Sequence, residues 1–203
     1  LVTSALHDIA VEPVQWVAGG AVADFVIARK GDQIVLVDAD TAAGSESGSR
    51  AEENLASTPL AELYLADATQ VLLSDTAAGR TAFAQAIEEW KLLVATALSG
   101  LSREAVQLAA AYACEREAFG QPIGTYQAIS HPLADRITDI DGGKYFVWKT
   151  IHDIAHSAPE AGAEISLAAW WNARTAGLAV VHALHVFGGY GLTTEYDIHL
   201  YNL

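Results

Sequence analysis

The 203-residue chain contains no methionine, one cysteine and five prolines, and its 11 lysines and arginines stand against 25 acidic residues. Each shortage excludes something. Cys114 alone cannot form an internal disulfide, and a thiol inside an apolar helical run is expected as a small core residue, not a nucleophile. A formal net charge of −14 repels phosphate backbones and anionic lipid, and no local basic patch offsets it. Nucleic acid and membrane surfaces are therefore not expected partners. No stretch reaches the roughly 18 consecutive apolar residues of a membrane span, and Leu1 to Ala10 lack the basic start of a secretory signal. The expectation is a soluble, cytoplasmic protein. Without any methionine, an initiator included, the residues are expected to be a fragment of a longer chain or ordered pieces of one.

What the sequence has is apolar content, 52% of the chain, which is enough to bury a core and excludes intrinsic disorder. It comes in two textures. From Val11 to about Asp75 the apolar residues form short runs at Val14 to Val17, Phe25 to Ala28, Ile34 to Val37, Leu63 to Leu65 and Val71 to Leu73. Runs of this length, rich in β-branched residues and bounded by Gly and Asp, predict strands, with a hairpin turning at Lys30 to Gln33. Ala42 to Ser57 reads as a loop or a discontinuity.

From Thr81 onward the pattern lengthens. Phe83, Ile87, Trp90, Val94, Ala97 and Leu101 step by three or four and predict an apolar stripe on a helix reaching about Glu115. Further helices are expected at about Thr125 to His156 and Pro159 to Val186, the last closed by Gly188-Gly189-Tyr190-Gly191. Three or more long helices with short connections predict a bundle. The fold class is α+β: a partial β domain at 11–75, then an all-α bundle at 81–203. Gly142-Gly143 within the second helix marks either a close approach of backbones or a kink.

Two clusters have chemical content. The first, Arg116-Glu117-Ala118-Phe119-Gly120-Gln121-Pro122-Ile123, continues through Gln127 to Leu133-Ala134-Asp135. It sets a guanidinium at a helix end, a ring three residues on, and an amide at the next helix start. A guanidinium binds pyrophosphate bidentately and a ring offers a face to a flat heterocycle. The structural alternative is a capping corner with Phe119 plugging the core. The second cluster, His185-Val186-Phe187-Gly188-Gly189-Tyr190-Gly191 followed by Glu195-Tyr196, has glycines that let backbone N–H groups approach a ligand or simply end a helix. His152 and His156 stand four apart and His182 and His185 three apart, and Asp153-Ile154-Ala155-His156 resembles half of a di-iron bundle site, but the second half is missing and no metal is expected.

In this order the two clusters resemble the C-terminal helical domain of the acyl-CoA dehydrogenases, and Gly20-x-x-Ala23-Asp24 is similar to that family's middle β domain. The resemblance implies a C-terminal four-helix bundle and a homo- or hetero-oligomer with FAD at the subunit interface. It also implies an acyl-CoA substrate dehydrogenated between its α and β carbons. In it Arg116 holds the FAD pyrophosphate, Phe119 and Gln127 complete that contact, and Gly188 and Gly189 lie against the other end of the cofactor. His185 stands where the family commonly has Gln and offers one hydrogen bond in place of an amide's pair. The family's base is a glutamate, commonly in a segment beyond Leu203. The alternative position on the first bundle helix falls on Trp90, leaving Glu89 one residue away as the candidate, rotated by about 100°. The expected rival to an enzyme is a non-catalytic subunit that shares the FAD site of a heteromeric dehydrogenase.

Overall fold

The structure is a computed structural model that describes residues 1–43, 54, 56 and 58–202. The chain divides into two compact units, Leu1–Ile87 and Glu88–Leu203. In the first unit the strands are β1 (Val2–Ser4), β2 (Val14–Val17), β3 (Phe25–Lys30), β4 (Gln33–Asp38), β5 (Ala61–Tyr64) and β6 (Gln70–Ser74), with a short helix α1 (Ala39–Ala42). A four-stranded sheet runs in the order β1-β3-β4-β6, with β1 parallel to β3, and β2 pairs separately with β5. The expected hairpin is present, with Lys30 opposite Gln33 and Gly31 at φ 58° in the turn. Alternation places Val26, Ala28, Val35 and Val37 in one core with Leu63 and Leu65. β1 falls outside the predicted β region, because three residues offer no periodicity to read. The loop expected from Ala42 to Ser57 lies for the most part outside the described residues, and Ala42 itself closes α1.

Long helices follow at α2 (Ala77–Glu115), α3 (Gln127–Ala155) and α4 (Ala161–Phe187), within two residues of the expected ends of the last two. Three long helices are thus present among the described residues, where the resemblance implies a bundle of four. The face of α2 differs from the expected stripe. Its buried residues are Ala95, Ser99, Ser102, Ala105, Val106, Ala109 and Ala113, whereas Trp90 and Leu101 are exposed. The buried positions are all alanine, serine or valine, so bulk was the wrong guide to the buried face. Cys114, expected in the core, is exposed.

The glycine pair resolves as a close approach. A Cβ on Gly143 would stand 2.5 Å from Asn172 Oδ1 and 3.0 Å from Trp171 Cδ1, while the Trp171 indole N–H donates to the Asp139 carbonyl at 3.0 Å. This seam locks α3 against α4. Ala161–Leu192 is long and apolar enough to span a membrane by length and composition, with mean hydropathy 1.2 over an 18-residue window. Its Ile165, Ala168, Ala179 and Ala183 are nevertheless buried in the fold.

Candidate functional site

Arg116 is the first residue beyond α2. Its N–H donates to the Tyr112 carbonyl at 2.8 Å and its own carbonyl accepts from Ile123 N–H at 2.8 Å, so the backbone that carries it is held from both sides. Between these contacts the chain forms a miniature hairpin, β7 (Glu117–Ala118) and β8 (Gln121–Pro122). The two turn residues, Phe119 and Gly120, have φ of 54° and 82°, the sense that matches the twist of a two-residue hairpin. For phenylalanine this conformation is strained. Phe119 is 98% exposed at the tip, edge-on to Tyr126, which corrects the reading of it as a core plug. The Tyr126 hydroxyl donates to the Ala118 carbonyl at 2.9 Å and props the hairpin.

The second cluster closes α4. Gly188 has φ 58° and ψ −133°, a region that glycine reaches without penalty, and its N–H donates to the carbonyls of Leu184 and His185. Gly191 is buried, and a Cβ there would lie 2.9 Å from the Leu184 carbonyl oxygen. These two glycines fold the chain back on the end of α4. They bring Gly188, Gly189, Tyr190 and Thr193 opposite Arg116 and Ile123 around a cleft of about 420 Å³. Tyr112 and Phe187, stacked at 4.2 Å, form its apolar floor.

Of the expected site residues, Arg116, Gly188 and Gly189 share this cleft. Phe119, Gln127 and His185 do not line it: Phe119 is on the hairpin tip, and Gln127 and His185 are exposed at the start of α3 and the last turn of α4. Tyr112, Tyr190 and Thr193 are wall residues that the sequence reading gave no role. Tyr112 precedes Arg116 by one helical turn, a spacing that was available as a signal.

The cleft holds charge of one sign. Among the described residues the Arg116 guanidinium has no carboxylate partner, and its central carbon lies 5.9 Å from the Tyr190 ring centroid. No acidic side chain lines the cleft. It can therefore bind an anion, but it supplies no base. Glu89 is exposed on α2, Trp90 beside it is 43% exposed, and a Cβ on Gly162 would lie 3.4 Å from Glu88 Oε1. A second groove of about 300 Å³ contains Ser99, Gly100, Arg103, Lys144 and Trp148. Arg103 pairs with Asp141, and Lys144 lies over the Trp148 ring at 4.6 Å. Of the histidines weighed for metal, His152 stacks on His156 at 4.1 Å, and Asp153 is held by Lys149.

Residues 77–203 match the family model for the acyl-CoA dehydrogenase C-terminal domain. Acyl-CoA dehydrogenase IpdE2 of Mycolicibacterium smegmatis is 27% identical over 187 residues, which cover 92% of this chain and 53% of that protein. The Tcur3481-Tcur3483 steroid ACAD has a TM-score of 0.76 at 25% identity, covering 98% of this chain and 60% of that chain. An acyl-CoA dehydrogenase of Bacillus anthracis, solved in complex with FAD, has a TM-score of 0.69 at 26% identity, covering 92% of this chain and 36% of that chain. The chain thus spans 36% to 60% of the length of these proteins. With well over half of its residues matched by that model, the chain belongs to the acyl-CoA dehydrogenase family.

Proposed function

We propose that the chain is a β segment and FAD-holding helical bundle of a soluble, cytoplasmic enzyme that dehydrogenates an acyl-CoA thioester between its α and β carbons. One observation carries the reading: a guanidinium without a carboxylate partner and a glycine turn converge on one cleft with an aromatic floor. These residues fit a dinucleotide. The N–H fork of Arg116 suits the oxygens of a pyrophosphate. Gly188 and Gly189 carry no side chain to keep their backbone away from it. Phe119, Gln127 and His185, outside the cleft, are proposed as outer contacts, and the exposed Phe119 ring supports a cofactor shared across a subunit interface in a homo- or hetero-oligomer. FAD, when bound, supplies the acceptor for the hydride that leaves the β-carbon. This chain's contribution is to anchor it.

A second reading is favoured by Trp90 at the helical position where the family resemblance puts the alternative base. In that reading the chain is a non-catalytic subunit of a heteromeric dehydrogenase. The naming of its structural relative after two proteins, Tcur3481 and Tcur3483, supports this. Glu89 is the candidate base if the chain is catalytic.

The visible spectrum of the purified protein, alone and with a co-expressed partner, tests the main reading. A flavin band near one per site is expected, and a colourless protein in both preparations overturns it. Turnover by the chain alone selects the catalytic reading, while turnover only in a complex selects the second. Arg116→Ala is expected to weaken FAD binding about 10- to 100-fold, the scale of lost charge-assisted hydrogen bonds. Unchanged binding removes Arg116 from the site.

A further inference from the structure

We propose that Tyr190 is a positioning residue for Arg116, its ring holding the guanidinium at the cleft before an anion arrives. The inference rests on reading the cleft as a pyrophosphate site. A long exposed side chain without an ion-pair partner loses much rotamer freedom when it binds, and affinity improves if something restrains it beforehand. The Arg116 guanidinium carbon lies 5.9 Å from the Tyr190 ring centroid, within the range of about 6 Å over which an aromatic face attracts a cation. An arginine fork can rest on a ring and keep its N–H edges available, which a carboxylate partner would not allow.

Tyr190 is itself braced. Its ring meets Tyr196 edge-on at 5.9 Å, and Tyr196 meets Phe187 at 5.2 Å and Tyr112 at 5.5 Å. Tyr112 and Phe187 are stacked, and they belong to the last turns of α2 and α4. The ring cluster thus ties together the two helix ends that carry Arg116 and the glycine turn. The tight fit of Gly191 on the Leu184 carbonyl fixes the backbone next to Tyr190. The result is an aromatic shelf set by both helices, with the Arg116 guanidinium on its edge.

The test is the FAD dissociation constant of the full chain with its partner, read by flavin fluorescence on reconstituting the apoprotein. Tyr190→Leu is expected to weaken binding about 3- to 30-fold, the scale of a cation–π contact. Tyr190→Phe, which keeps the ring, is expected to stay within about twofold. In an Arg116→Ala background, Tyr190→Leu is expected to add nothing. Fluorinated phenylalanine at position 190 weakens the ring's negative face at nearly constant size. It is expected to lower affinity stepwise against Tyr190→Phe, and it serves if Tyr190→Leu fails to fold. A positioning role is overturned if Tyr190→Leu leaves binding unchanged, if its effect persists without Arg116, or if fluorination changes nothing. If Arg116→Ala also leaves binding unchanged, the pyrophosphate reading falls with it; if only the Tyr190 series is silent, that reading stands.

Discussion

Where α3 finishes and α4 begins, Lys149 is held by two carboxylates, Asp153 at 2.5 Å and Glu164. Where α2 and α4 finish, Arg116 has the face of Tyr190 and, among the described residues, no carboxylate. Among the described residues other cations also lack a carboxylate, Lys144 for one, so what sets Arg116 apart is its place in a cleft with no acidic lining. The Lys149 network ties helix to helix, whereas the Arg116 guanidinium has no ion pair among the described residues and its donors are available for the proposed pyrophosphate. Arg103 stands between these cases, in a groove that also contains Lys144 and Trp148 but with Asp141 taking its charge.

The largest effect is expected from reversing the uncommitted charge. Arg116→Glu puts a carboxylate where the proposed pyrophosphate binds, and FAD retention is expected to fall by more than about 100-fold. Lys149→Gln is expected to leave flavin content unchanged. Equal flavin loss in the two variants would erase the distinction between the two ends. A smaller effect is expected from giving Arg116 the kind of partner that Lys149 has. Thr193 lines the same cleft, and Thr193→Asp offers a carboxylate to the guanidinium. FAD is then expected to bind about 3- to 10-fold more weakly, mostly through a faster off-rate. Tighter binding in Thr193→Asp would mean that the cleft does not select anions.

The two ends were not equally legible in the sequence. β-Branched runs located most strands, three- and four-residue steps located α2 though not its buried face, and long alanine- and leucine-rich segments with glycine and proline stops located α3 and α4. Glycine was legible where it has few substitutes. The positive φ of Gly188 and the contact of Gly143 with Asn172 both sit at positions that the sequence marked. The buried face of α2 was not legible, since alanines and serines pack where large residues were expected. Nor was the hairpin that lifts Phe119 into solvent, because Phe-Gly is not a usual pair for its turn. The shelf of Tyr112, Phe187, Tyr190 and Tyr196 gathers rings from positions 84 apart in sequence, a convergence set by tertiary packing that spacing does not reveal. Whether a given arginine has a partner is equally a property of the fold.

The smallest effect concerns the satisfied end, and its sign follows from the ionisation of the network. The hydrogen bond from Lys149 holds the Asp153 carboxyl down at about 2, against an ordinary 3.8. The hydrogen bonds to Asp153 and Glu164 push Lys149 up to about 12 from an ordinary 10.5. A carboxylate with a depressed pKa adds stability that is complete above its unfolded value and lost as pH falls toward the folded one. An amine with a raised pKa adds stability that is complete below its unfolded value and lost as pH rises through the folded one. The network is therefore whole from roughly pH 4 to roughly pH 10 and fails at both ends of that window. Lys149 is more than half exposed, although Asp153 and Glu164 are half-buried, and screening at the ammonium keeps the effect small. Lys149→Gln is expected to lower Tm slightly across the window, with the deficit closing on acidification from about pH 4 toward pH 2 and shrinking in high salt. Arg116→Ala, measured without flavin, should show no such acid-dependent deficit, since it has no carboxylate to lose. A deficit for Arg116→Ala that closes in the same acid range would reveal a carboxylate partner and make the two ends alike.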